Sequence, residues 1–387
     1  MKLIENFSRA EQSLHLQATA STGLEDFGSD KYIEGLRVLL KAYDEEARFS
    51  DIGRFSAQAM VVNCLKGRLF TEEGIRKNPT CLQQKIIKPI FVIGLPRTGT
   101  SILHRLLATD TDNQGLEYWL GSYPMPRPPR TQWPDNLCYQ EVDKSLDMMR
   151  QLNPEIQAIH EMTAGGVDEC RLLLMHSFAN VTFQSNATIP SYEQWLYNTD
   201  FSEVYCQYER ALKLIGADSP EKCWILKDPS HLWSIDALLE KFPDACIVQT
   251  HRDPTKLIAS VSSLVYAARK MGEPDVSPSM IGQQQLEQWQ IVLQKAMAVR
   301  ERFPNNFYDV YFDDFMDDPV DVVDNLYRHL GRTLSKKTAE QLRSWIAENP
   351  QGKHGGHTYS PEEFGLTSSQ ILDHYSAYQT QFFSQRS

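Results

Sequence analysis

The 387-residue chain has no uninterrupted apolar stretch approaching the roughly 18 residues that a membrane helix needs, so no integral membrane contact is expected. The first residues, MKLIENFSRAEQSLHLQ, lack the apolar run of a secretory signal, which leads to the expectation of a cytoplasmic protein. Basic charge is in deficit: 39 Lys and Arg stand against 50 Asp and Glu, a formal net charge of -11. That balance repels nucleic acid, so none is expected as a partner, and any phosphate site must be local. The seven cysteines are widely spaced and include no CxxC pair, the pattern of reduced, buried thiols. His354 and His357 are three apart but have no acidic or Cys partner at zinc spacing, so no metal is expected. No GxGxxG follows an apolar strand, which argues against a dinucleotide site.

What is present is a repeated strand-loop-helix pattern. Gly35 to Asn78 carries apolar residues at steps of three and four with no interior Pro, predicting helices in an N-terminal segment, 1–85, packed on the core. KPIFVIGLP from Lys88 is a short β-rich run followed by Ile102, Leu103, Leu106 and Leu107 at helical spacing. Further strand candidates are Cys223 to Leu226, Ala245 to Thr250 and Phe307 to Phe312. Alternation of strands and helices predicts an α/β domain, 86–387, built on a parallel sheet of the P-loop type flanked by helices, with ligands beyond the carboxyl ends of the strands. A long helical insertion, at about 111–222, separates the first two strands and includes the Pro-rich YPMPRPPRTQWP.

The segment from Gly94 to Ser101, GLPRTGTS, holds two glycines just before a helix. Backbone N–H groups of such a turn and the positive end of the helix together bind an anion. A loop for nucleoside triphosphates requires Lys after the second Gly; Thr100 stands there, and the cation comes instead from Arg97 inside the loop. A sulfonate, with about one negative charge, suits an Arg and backbone donors.

FVIGLPRTGTS resembles the 5'-phosphosulfate loop of the sulfotransferase family, in its bacterial branch with Arg for Lys. Two later motifs agree in order: IVQTHRDPTKLIAS gives Arg252 and Ser260 in the positions of the family's 3'-phosphate ligands, and WILKDPSHL gives Lys227 and His231. The resemblance implies 3'-phosphoadenosine 5'-phosphosulfate as co-substrate, held by Pro96, Arg97, Thr98, Gly99, Thr100, Ser101, Arg252 and Ser260. GKHGGHTYSPEEFGL resembles the family's closing loop and adds Lys353, His354 and Gly355. Arg97 and Lys227 are expected to act on the transferring group, with either His231 or Glu117 as the base. The adenine-stacking Trp of cytosolic members falls on Ile102. The implied reaction is in-line transfer to a hydroxyl or amine of a small-molecule, lipid or sugar acceptor. A kinase-like phosphotransferase and a non-catalytic adenosine-phosphate binding module are the alternatives, and oligomeric state is left open.

Overall fold

The computed structural model describes residues 3–152, 162–350 and 359–384. Five strands form one parallel sheet in the order β2-β3-β1-β4-β5: β1 (Ile90–Gly94), β2 (Asn113–Gln114), β3 (Cys223–Lys227), β4 (Cys246–His251) and β5 (Phe307–Tyr311). The expected strands are all there. The edge strand β2 is two residues long and leaves no periodicity to read; it falls inside the stretch expected as insertion.

Side chains alternate across the sheet, as a pleated strand requires. Phe91, Ile93, Leu226 and Ile247 point to a core shared with the N-terminal helices and the insertion. Ile90, Val92, Ile225 and Val248 point to a second core under the helices Thr100–Leu107, Pro319–His329 and Lys336–Glu348. Both faces are covered, which is why these strands read as continuous apolar runs rather than alternating ones.

The N-terminal segment forms the helices Tyr32–Glu45 and Asp51–Lys77. The second starts at Ser50, whose hydroxyl accepts from Gly53 N, and its buried face joins the same core as Phe91. The layer is therefore a wall of the domain. It packs closely against the insertion: a Cβ added at Gly67 would lie 2.1 Å from His176 Nε2. Only a residue without a side chain allows that approach.

Gly67→Ala should therefore cost about 1–3 kcal/mol, the usual range for overpacking a filled interior. Urea denaturation checks this, and adding His176→Ala should recover part of the loss, the coupling expected of a pair in direct contact.

Candidate active site

β1 ends at Gly94, where a Cβ would meet Thr250 Oγ1 at 2.3 Å. The chain then turns through Arg97 (φ 73°) and Gly99 (φ 89°) into the helix Thr100–Leu107. Thr98 fixes the turn from inside. Its hydroxyl donates to Leu95 O at 2.7 Å and lies 2.5 Å from Thr250 Oγ1 on β4. Arg252, just beyond β4, donates from Nη1 to Arg97 O at 3.0 Å and lies 3.9 Å over the Phe312 ring. Burial lowers its pKa, while Tyr359 and Asp313 oppose the shift.

Loop and helix border a cavity of about 970 Å³. Pro96, Arg97, Gly99, Thr100, Ser101 and Arg252 line it, whereas the Thr98 side chain is turned into the protein. Lys227, the last residue of β3, lies at the centre. It is only 3% exposed, donates to Ser101 Oγ at 3.0 Å and is ion-paired with Glu169 Oε1. Glu169 also faces Arg171, with Nε 3.4 Å from Oε2. Asp228 follows on the cavity wall. Its Oδ1 accepts from Ser230 N at 2.8 Å, and its buried Oδ2 has no hydrogen-bond partner among the described residues. Burial, reinforced by the neighbouring Glu169 charge, pushes the Asp228 carboxyl up to about 6.

The structure brings together Pro96, Arg97, Gly99, Thr100, Ser101, Lys227 and Arg252, and separates them from three other expected residues. His231 is fully buried in an aromatic setting, stacked on Tyr205, whose hydroxyl pairs with Nδ1 at 2.8 Å. It does not line the cavity. Asp228 to Trp233 makes a tight 3-10 turn that carries this ring into the core. Glu117 is also buried away from the cavity, accepting from Arg127 Nε at 3.0 Å. It pairs in a β-bridge with Val167, and so braces the segment that delivers Glu169. Ser260 is buried and off the lining. Asp253 accepts from Thr255 N at 2.9 Å at the start of the 3-10 segment Pro254–Lys256, and the α-helix that carries Ser260 begins at Ile258. Lys353, His354 and Gly355 lie outside the described residues.

Glu169 and Asp228 were missed. Asp228 stood in plain view beside Lys227, but its raised pKa depends on burial. Glu169 lies in the insertion, 58 positions from Lys227, and reaches it through a backbone contact, Cys170 N to Lys227 O at 2.9 Å. Beside the loop, Ile102, Arg105, Phe312 and Trp345 wall the cavity, and Phe312 and Trp345 provide aromatic faces although the helix Thr100–Leu107 itself has none. Among the described residues no three His, Cys, Asp or Glu side chains gather as metal ligands, and no helix is long and apolar enough to cross a membrane.

Three interior histidines set an acid limit on the fold. Burial lowers His104 to about 4 and both His176 and His231 to about 3, against an ordinary 6.5. The unfolded chain protonates these rings below about 6.5 and the folded chain does not. Their contribution to stability is thus complete above 6.5 and is lost as pH falls toward 3. Unfolding free energy should drop between pH 7 and pH 5, and His231→Gln should remove about 1.4 kcal/mol per pH unit from the slope at the acid end, measured by urea titration.

The family model described as "Sulfotransferase family" matches residues 89–336. Among solved structures, that of sulfotransferase STF1 from Mycobacterium tuberculosis H37Rv superposes with a TM-score of 0.88 at 36% identity, covering 96% of this chain and 100% of the other. Sulfotransferase STF9 from Mycobacterium avium gives 0.88 at 26% identity, covering 99% and 98%. Omega-hydroxy-beta-dihydromenaquinone-9 sulfotransferase Stf3 of Mycobacterium bovis is 24% identical, with 74% of each chain covered.

Proposed function

The chain belongs to the sulfotransferase family, and on that premise we propose that it transfers a sulfuryl group from 3'-phosphoadenosine 5'-phosphosulfate to an acceptor hydroxyl. The observation that carries this reading is the convergence of Arg97, Ser101 and Lys227 with two carboxylates on one cavity. A hydroxyl acceptor is favoured because the relative from Mycobacterium bovis is named for an omega-hydroxy compound.

In this reading the turn from Arg97 to Ser101 holds the 5'-phosphosulfate and Arg252 the 3'-phosphate. Lys353, His354 and Gly355 stay assigned to the nucleotide by resemblance. The acceptor oxygen forms its bond to sulfur as the sulfur–phosphate oxygen bond breaks. Lys227 and Arg97 balance the charge that develops on the departing phosphate, which leaves in adenosine 3',5'-bisphosphate. The acceptor proton goes to the Glu169 carboxylate, which lies beside Lys227 and on the cavity wall. Asp228, with its carboxyl pushed up to about 6, keeps this corner from carrying two full negative charges at mildly acidic pH. Trp345 and Phe312 take the part of the stacking Trp that the helix lacks, since an aromatic face accepts a base whatever element supplies it.

Thermal denaturation with adenosine 3',5'-bisphosphate, run beside ATP with Mg²⁺, tests the donor. The bisphosphate at about 100 times its Kd should add about 2.7 kcal/mol of stability. A shift with ATP and Mg²⁺ alone, or none, would overturn the reading. Arg97→Ala should lower kcat by at least about 100-fold while the melting temperature of the free protein stays near that of the parent; Glu169→Gln should lower kcat at least as far and also lower the melting temperature, because Lys227 loses its buried counter-charge. Trp345→Ala should raise the Kd for the bisphosphate about tenfold or more, read by calorimetry, as loss of one stacked base implies.

A further inference from the structure

Beyond Lys227 the cavity continues between three helices that each present a row of side chains along their length. Asp51–Lys77 contributes Phe55, Ala59, Met60 and Asn63; Leu137–Leu152 contributes Val142, Ser145, Leu146 and Met149. Ile258–Lys270 contributes Val261, Leu264, Val265 and Ala268, and Met271 follows at its end. These are helical spacings of one face, so the rows are extended rather than gathered at one level. From Val261 to Met271 the row spans about 15 Å at 1.5 Å per residue.

The wall of this arm is mostly apolar, and several of its polar side chains bond within their own helices. Ser185 Oγ donates to Val181 O, Asn186 Nδ2 to Thr182 O, and Gln285 Oε1 accepts from Trp289 Nε1. These bonds turn one polar atom of each side chain back onto its own helix, and the rows otherwise offer mostly aliphatic, thioether and aromatic contact, against which a polyhydroxylated acceptor would leave groups of its own unpaired. Five of the chain's 11 methionines (Met60, Met149, Met162, Met175 and Met271) line the cavity, which selects for a flexible hydrocarbon over a rigid polar ring.

The arm also reaches the surface through apolar side chains. Phe55 is 51% exposed and Met271 45%, and Ile52, one turn before Phe55, is 70% exposed. The two helix ends that bear them are joined, with Ser50 N donating to Gly272 O at 2.8 Å and a Cβ at Gly53 falling 2.3 Å from the same oxygen. Ile52, Phe55 and Met271 thus share one patch at the end of the arm. The core does not require these three side chains to be large and apolar.

We propose that the acceptor is an amphiphile whose terminal hydroxyl sits on a long hydrocarbon chain. The hydroxyl end enters first to reach Glu169 and Lys227. The chain lies along the three rows, and the remainder of the molecule trails out past Phe55 and Met271. This rests on the sulfotransfer reading above and selects one of the acceptor classes that reading allows.

The test measures release of adenosine 3',5'-bisphosphate with butanol, octanol and dodecanol as acceptors, beside glucose and trehalose, at saturating donor. The ratio kcat/KM should rise by at least about tenfold from octanol to dodecanol, because each added methylene enters an apolar wall. Ala268→Trp, which blocks the third row, should cut the dodecanol-to-butanol ratio by about tenfold or more. A flat series, a preference for the sugars, or an unchanged ratio in the variant would overturn the proposal. The melting-temperature shift with the bisphosphate is read on the same samples: with that shift intact, a flat series removes only the long-chain acceptor, whereas loss of the shift in the parent protein removes the donor reading itself. Hexadecanol presented in phosphatidylcholine vesicles or in detergent micelles separates a membrane-resident from a dispersed source. Faster turnover from vesicles, or equal rates, both support a long-chain acceptor and assign its origin; no turnover from either counts against it.

Discussion

A lysine ammonium almost sealed from water holds this site together. Lys227 closes β3, reaches Ser101 at the head of the helix Thr100–Leu107, and pairs with Glu169 from the insertion. A buried charge left alone would cost several kcal/mol, so strand, loop and insertion are each bound to the others through its need for partners. The backbone repeats the tie, since Cys170 N donates to Lys227 O. Glu117, Arg127 and the bridge to Val167 then secure the insertion from the other side. The carboxylates of the site therefore come from the same contacts that fasten the insertion to the sheet.

The sheet and the turn that follows β1 were legible in the sequence because both are local. Ile90 to Gly94 must be apolar on both faces, and Gly94 and Gly99 mark backbone turns. What was not legible depends on packing between segments far apart in sequence. His231 has the intrinsic chemistry of a base, but the 3-10 turn after Asp228 hides it against Tyr205. Ser260 was placed by resemblance, and it lies buried in the first turn of a helix that begins at Ile258. Glu169 has no local signature at all, and its importance comes from lying beside Lys227.

The two cores explain how one sheet serves two tasks. The face bearing Ile90, Val92 and Val248 packs only against neighbouring helices of the domain. The opposite face is continuous with the N-terminal layer. The Asp51–Lys77 helix buries one side in that shared core and turns residues such as Ala59 and Met60 toward the cavity. Removing the N-terminal segment would therefore expose the core and open the cavity together, so it is integral to the domain despite preceding the first strand.

Arg97 sits at φ 73°, in a backbone region where a side chain is unfavourable and glycine is at ease. Thr98 and Arg252 secure the turn around it through Leu95 O and the Arg97 carbonyl. The protein thus holds its loop cation at a conformational disadvantage. Arg97→Gly would relieve that strain by an amount on the order of 1 kcal/mol while discarding the charge. Under the role proposed for Arg97, a more robust protein and a competent one are different sequences at this position, the opposition between stability and activity expressed in a single residue.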